Sequence, residues 1–233
     1  MNGTNEGGHP ETMLVAIPSS NVIPGLECLL PLSQIFVRQQ IDVLEVLVGF
    51  EQSNRYVFFA PNGQMVYIGD EESNCCARQY CGSARGFVLH IRDPNGFGIL
   101  LDRPLQCCLT SMSVFAISTG QLLGTIQQQC VLCSGARFNV NDEMGNVVFI
   151  IKAPCCTTAC CGNLVSPSDY ETPIGQITKT WAGAQEFFTS ADNFGISFPG
   201  DLSVNIKAVL LGACILIDFM FYENKKSSHS RSY

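Results

Sequence analysis

The sequence predicts a mainly β protein: a closed antiparallel barrel around a central hydrophobic helix at the C-terminal end. Three observations carry this. Turn signals recur between short alternating runs, no helical pattern separates one hairpin from the next, and the chain holds only one long apolar stretch, Ala208–Ile217. Repeated hairpins without crossover helices make an antiparallel meander.

Taken in order, residues 1–21 are polar and aperiodic, and Met1–Glu11 offers neither a basic region nor an apolar signal core, so secretion is not expected. Pro24-Gly25 and Pro31 punctuate the next stretch. Ile35–Phe50 mixes β-branched residues with Leu, and its period does not separate helix from strand. The reading then sharpens. Tyr56–Ala60, a Pro61-Asn62-Gly63 turn and Met65–Ile68 make a hairpin. Phe87–Arg92, Asp93 to Gly96 and Ile99–Leu101 repeat it. Val114–Ile117 with Leu122–Ile126, and Arg137–Val140 with Val147–Lys152, supply the third and fourth. Phe87, Leu89 and Ile91 alternate with Val88, His90 and Arg92, the period of a half-buried strand. Trp181–Thr189 suits a short amphipathic helix carrying Trp181, Phe187 and Phe188. Asn193–Asp201, with Gly195, Pro199 and Gly200, reads as a loop. The organisation expected is a loose segment 1–21, a barrel domain 22–223 and a polar tail 224–233.

So many strands must hide their edges, and closure into a barrel removes them. A barrel of this size is too wide for its own side chains to fill. The apolar run Ala208, Val209, Leu210, Leu211, Gly212, Ala213, Cys214, Ile215, Leu216 and Ile217 can fill it, within a helix predicted over Val204–Tyr222. That helix would be about 28 Å long, close to a hydrocarbon core of ~30 Å, although an uncharged run of about ten residues is more often a buried core helix. Barrel core and membrane span are two competing accounts of this segment.

At 46% apolar and 14% charged, the chain has apolar surface enough for a core and too little charge for disorder. A net charge of −7 argues against nucleic acid as a partner. Three histidines, two of them near the ends, and no nucleophile elbow or phosphate loop argue against an enzyme. Of thirteen cysteines, all but Cys28 and Cys214 fall in clusters around Cys75, Cys107-Cys108, Cys130 and Cys155. Three readings compete for them: small apolar fillers, S-acylation sites and zinc ligands. Only one Cys-x2-Cys spacing occurs, and adjacent cysteines on a strand point to opposite faces, which disfavours zinc. Asp192 and Asp201, with Ser190, Ser197 and Ser203, could form an oxygen-rich calcium loop. Two carboxylates are few for six to eight oxygen ligands, so a solvated turn competes with it.

Several segments resemble the phospholipid scramblases. They are Pro24-Gly25-Leu26-Glu27, Gln39-Gln40-Ile41 through Gly49-Phe50-Glu51, Arg103-Pro104-Leu105, and Gly175 through Trp181. The most specific is the block Ala191-Asp192-Asn193-Phe194-Gly195-Ile196 followed by Lys207-Ala208-Val209 through Phe221. The resemblance implies a tubby-like, about twelve-stranded barrel around the C-terminal helix. It also implies calcium-dependent, ATP-independent, bidirectional movement of phospholipids between leaflets, at the plasma membrane, with a cytoplasmic barrel that is single-pass or peripheral. By the same resemblance, calcium binds weakly through Ser190, Asp192, Phe194, Ile196, Phe198 and Asp201, and Cys107 and Cys108 are palmitoylated. Membrane phospholipids are the implied partners, and a homo-oligomer is open. The family's Pro-rich region is missing, which removes ligands for SH3 and WW domains, and Ser190 stands where the calcium motif begins with Asp. The alternative from another class is a peripheral lipid-binding adaptor with the same barrel and no transport.

Overall fold

The structure is a computed structural model, described over residues 22–40, 53–74, 80–81, 84–106, 108–130, 135–152, 163–167, 173–180 and 193–222. Twelve strands close into one antiparallel barrel: β1 (Gln34–Gln40), β2 (Arg55–Phe59), β3 (Met65–Glu72), β4 (Phe87–Arg92), β5 (Gly98–Arg103), β6 (Ser111–Ala116), β7 (Leu122–Gln129), β8 (Arg137–Asn141), β9 (Val147–Lys152), β10 (Asn163–Pro167), β11 (Gly175–Thr180) and β12 (Asn193–Ser197). Each strand pairs with its sequence neighbours, and β12 closes the ring on β1 with Gln34 opposite Ser197 and Arg38 opposite Asn193. One helix, α1 (Val204–Phe221), follows the last strand.

Strand alternation sets inside from outside. On β6, Met112, Val114 and Ala116 are buried while Ser111, Ser113 and Phe115 are only partly covered. Tight turns join strands at one end of the barrel. In two of them, an aspartate opens the turn and a glycine with positive φ completes it: Asp93 with Gly96 (φ 85°), and Asp142 with Gly145 (φ 84°). Asp93 Oδ1 accepts from the amides of Asn95 and Phe97, and Asp142 Oδ1 from those of Met144 and Asn146. These local bonds fix the register of the strands they join. The amides also hold the Asp142 carboxyl below its usual range, with the Asn146 side chain the largest influence. The opposite end carries the longer connections, so the barrel has a short-turn end and a long-loop end. Antiparallel order places the 104–110 connection, Cys81 and Cys130 at the long-loop end.

Helix α1 enters at the short-turn end and runs toward the long-loop end. Ser203 caps its start, its hydroxyl accepting from the Ile206 amide at 3.4 Å. Every residue from 206 to 219 is buried, so no face of the helix meets water. An apolar helix without a polar stripe requires such surroundings. The approach is close. A Cβ on Gly212 would lie 3.1 Å from side-chain carbons of both Leu101 and Val114, and one on Gly124 of β7 would lie 2.8 Å from Val209. Glycine at these two places lets helix and barrel wall meet.

Of the two accounts of Ala208–Ile217, the barrel core is the arrangement in this structure. By length and hydropathy α1 also passes as a candidate membrane span, a test that a buried core helix passes equally. Asn193–Ser197 is a strand rather than the expected loop, because Phe194 and Ile196 alternate inward and its backbone bonds to β1 and β11 on either side. Of the ambiguous stretch Ile35–Phe50, residues 35–40 belong to strand β1 and 41–50 lie outside the described residues, and β10 and β11 lacked a hairpin signal of their own. The helix expected over 181–189 lies outside the described residues.

If α1 is the core, Gly212→Arg leaves no protein that is soluble and melts cooperatively in detergent-free buffer. Thermal unfolding followed by circular dichroism checks this.

Candidate functional site

The chemistry in the described residues gathers at the two ends of α1. Each end carries a buried charge of the sign that the helix dipole disfavours: Lys207 near the start and Asp218 near the finish. Specific partners hold them there.

At the short-turn end, the Lys207 ammonium shares its three N–H groups among four backbone carbonyls: Leu29 (3.1 Å), Leu30 (3.0 Å), Leu32 (2.8 Å) and Gly200 (2.8 Å). The first three lie at the end of, and just after, the 3-10 turn Glu27–Leu29, and the Leu29 carbonyl also accepts from the Leu32 amide at 3.2 Å. One cation therefore ties the N-terminal segment and the turn before α1 to the helix. The Phe198 ring lies 5.5 Å from the ammonium. Burial lowers the Lys207 pKa from its ordinary value, and the Asp201 carboxylate works in the other direction. Beside this plug, the Cys28 thiol donates to Tyr67 Oη, which donates to the Gly25 carbonyl, both at 2.7 Å. Burial pushes the Cys28 thiol up. A surface groove of about 480 Å³ opens over Cys28, bordered by Glu27, Asp93 and Phe97.

At the long-loop end, the Tyr56 hydroxyl donates to Asp218 Oδ2 at 2.7 Å. Phe219 stacks on Phe87 at 4.1 Å between centroids, and the Arg85 guanidinium lies 4.8 Å over the Phe219 ring. Arg85 is fully buried and bonds to both oxygens of Glu71, at 2.9 and 3.1 Å. Arg103 donates to Thr110 Oγ1 at 3.0 Å and lies 5.8 Å from the Phe87 ring. Lys179 sits 4.3 Å from the Tyr222 ring, a cation at the negative end of the helix dipole. A second surface groove, of about 600 Å³, borders this cluster and is lined by Glu72, Asn74, Asp102 and Arg103 among others.

Sequence reasoning missed this buried set. Arg103 entered only as part of a motif, Tyr56 only as a strand residue, and Arg85 and Glu71 did not enter at all. The usable signals were Lys207 and Asp218 themselves, two charges flanking an apolar run.

The six calcium candidates are not gathered by the part of the structure described. Phe194 and Ile196 point into the core from β12, and Phe198 is buried beside Lys207. Asp201 is exposed in the turn before α1, at the short-turn end. Ser190 and Asp192 lie outside the described residues. Four steps of strand separate Asn193 from Ser197 by about 13 Å, whereas calcium holds its oxygens at ~2.3–2.6 Å. Among the described residues the candidate donors are one exposed carboxylate, Asp201, and carbonyls of a paired strand. Cys108 is exposed on the 104–110 connection between Leu105 and Leu109, themselves exposed, while Cys107 lies outside the described residues. Cys214 is buried within α1. Among the described residues no three His, Cys, Asp or Glu side chains are placed to share a metal.

Replacing Lys207 by Met removes the cation and its bonds to the carbonyls of Leu30, Leu32 and Gly200, while Leu29 keeps the Leu32 amide. The expected loss is about 3 kcal/mol, or roughly 6–12 °C in Tm for a chain of this size. Lys207→Arg should recover only part of it, because a planar fork does not match a ring of carbonyls. Differential scanning calorimetry of the three proteins checks both.

The scramblase family model matches residues 12–224. Human phospholipid scramblase 1 is 41% identical over 227 residues, covering 92% of this chain and 71% of the relative. Bovine phospholipid scramblase 2 is 39% identical over 234 residues, covering 93% and 79%. Human phospholipid scramblase family member 5 is 33% identical over 237 residues, covering 95% and 87%. With a match that runs from before β1 past the end of α1, and with relatives of this identity over most of their own length, the chain belongs to the scramblase family.

Proposed function

We propose that this protein moves phospholipids between the two leaflets of a membrane, in both directions, triggered by calcium and without ATP. It acts as a lipid transporter and not as an enzyme. The observation that carries the reading is the family match across the whole barrel and its helix. Its partners are membrane phospholipids, and its place is a membrane, the plasma membrane by preference. Cys107 and Cys108 are proposed as palmitoylation sites. The exposure of Cys108 between Leu105 and Leu109 supports acyl attachment next to an apolar surface.

A second reading has a specific observation in its favour. The helix fills the barrel interior on all sides, and a headgroup crossing hydrocarbon needs a polar path. A peripheral lipid-binding adaptor with this barrel would need no such path.

Reconstitution of the full chain into liposomes with a leaflet-accessibility assay separates the two. Transport predicts lipid exchange on adding calcium, with no requirement for ATP. Vesicle binding without exchange, with and without calcium, would establish the adaptor instead.

Calcium is proposed to bind weakly, in the ~10⁻⁴–10⁻³ M range or above, with Asp192 as the carboxylate that matters. Titration calorimetry should show no binding in Asp192→Ala and tighter binding in Ser190→Asp. No gain from Ser190→Asp would place the ion elsewhere. Mass spectrometry before and after hydroxylamine should find a thioester-linked acyl group lost from the Cys107–Cys108 peptide.

A further inference from the structure

We propose that Arg137 and Lys152 together form a binding site for the phosphate group of a membrane phospholipid, seating the long-loop end of the barrel on an anionic bilayer. The two residues are direct partners across β8 and β9. Both point outward, because Phe138, Val140, Phe149 and Ile151 take the inward positions of the same strands. Directly opposed side chains in an antiparallel pair lie about 4.5–5.5 Å apart at Cβ, and like charges placed so repel.

Nothing described relieves that repulsion. Among the described residues, no hydrogen bond or ion pair joins Arg137 or Lys152 to another. The acidic residues of this hairpin, Asp142 and Glu143, sit in its turn at the far end, and Asp142 is engaged by the Asn146 side chain and its own turn amides. The flanking outward positions are neutral: Gln129 faces Arg137, and its amide bonds to Asn139. The neighbouring connections, 131–134 and 153–162, contain no Asp or Glu in their sequence. A guanidinium fork beside an ammonium, flanked by two amides, is a phosphate-binding set.

One further fact favours lipid over free phosphate. The pair shares its end of the barrel with exposed Leu105 and Leu109, and cations next to exposed apolar side chains are the composition of a membrane-surface contact.

The test is vesicle flotation with the full chain, using phosphatidylcholine vesicles and equimolar phosphatidylcholine–phosphatidylserine vesicles. Arg137→Gln with Lys152→Gln should weaken binding to the anionic vesicles by about tenfold or more, since each cation near such a surface contributes several-fold. The Tm should stay level or rise as the repulsion is removed. Arg92→Gln, at the short-turn end, should change neither. Unchanged vesicle binding by the double variant overturns the proposal. That holds even if calorimetry finds inorganic phosphate bound at the pair in the wild type, which would mark a free-phosphate site. This inference goes beyond the transport reading: a protein that held vesicles through the pair and moved no lipid would keep the site and remove the transport.

Discussion

A twelve-stranded barrel leaves a space that its own inward side chains cannot close. An unfilled interior would forfeit dispersion contacts along the whole wall. Everything else in this protein follows from how that space is filled. α1 supplies an unbroken apolar cylinder, buried at every position from 206 to 219, and Gly212 and Gly124 thin the contact where wall and helix come closest. The helix follows the last strand, so the barrel interior is not filled until residues 204–221 have been placed.

Such a plug must be stopped at both ends, and the stops are polar. Lys207 is held by carbonyls from the segment before β1 and from the turn after β12, so the two segments flanking the closing pair of strands are tied together at one atom. Asp218 is held by Tyr56 beside the Arg85–Glu71 pair and the Phe87–Phe219 stack. Buried charged groups need a partner or a hydrogen bond, so these contacts fix the depth of the helix. A filled barrel has a consequence for function as well. Under the proposed transport, lipid headgroups would take a route outside the filled interior.

Much of the fold was legible because its signals are local. The hairpins at Asp93 to Gly96 and Asp142 to Gly145 announce themselves through Asp, Asn and Gly in turn positions, and α1 announced itself through ten uncharged apolar residues. β12 was not legible. Phe194-Gly195-Ile196 carries glycine in mid-strand and runs into Pro199-Gly200, so composition argued for a loop, and only pairing with β1 on one side and β11 on the other makes it a strand. The Lys207 cage was invisible for a different reason. Its acceptors are backbone carbonyls, which every residue has, brought together by ring closure. The Arg137–Lys152 pair likewise depends on register, which periodicity within one strand does not fix.

The central claim is that α1 is the permanent core of the barrel and does not leave it for the bilayer. Hydrogen exchange across 204–221, measured by mass spectrometry on the full chain in buffer and again bound to anionic vesicles, tests this most directly. The account predicts that these amides exchange only through global unfolding, at the slowest rates in the protein and with equal protection in both states. Faster exchange of 204–221 than of the barrel strands in buffer, or an altered α1 alongside newly unprotected inner strands on vesicles, would contradict it.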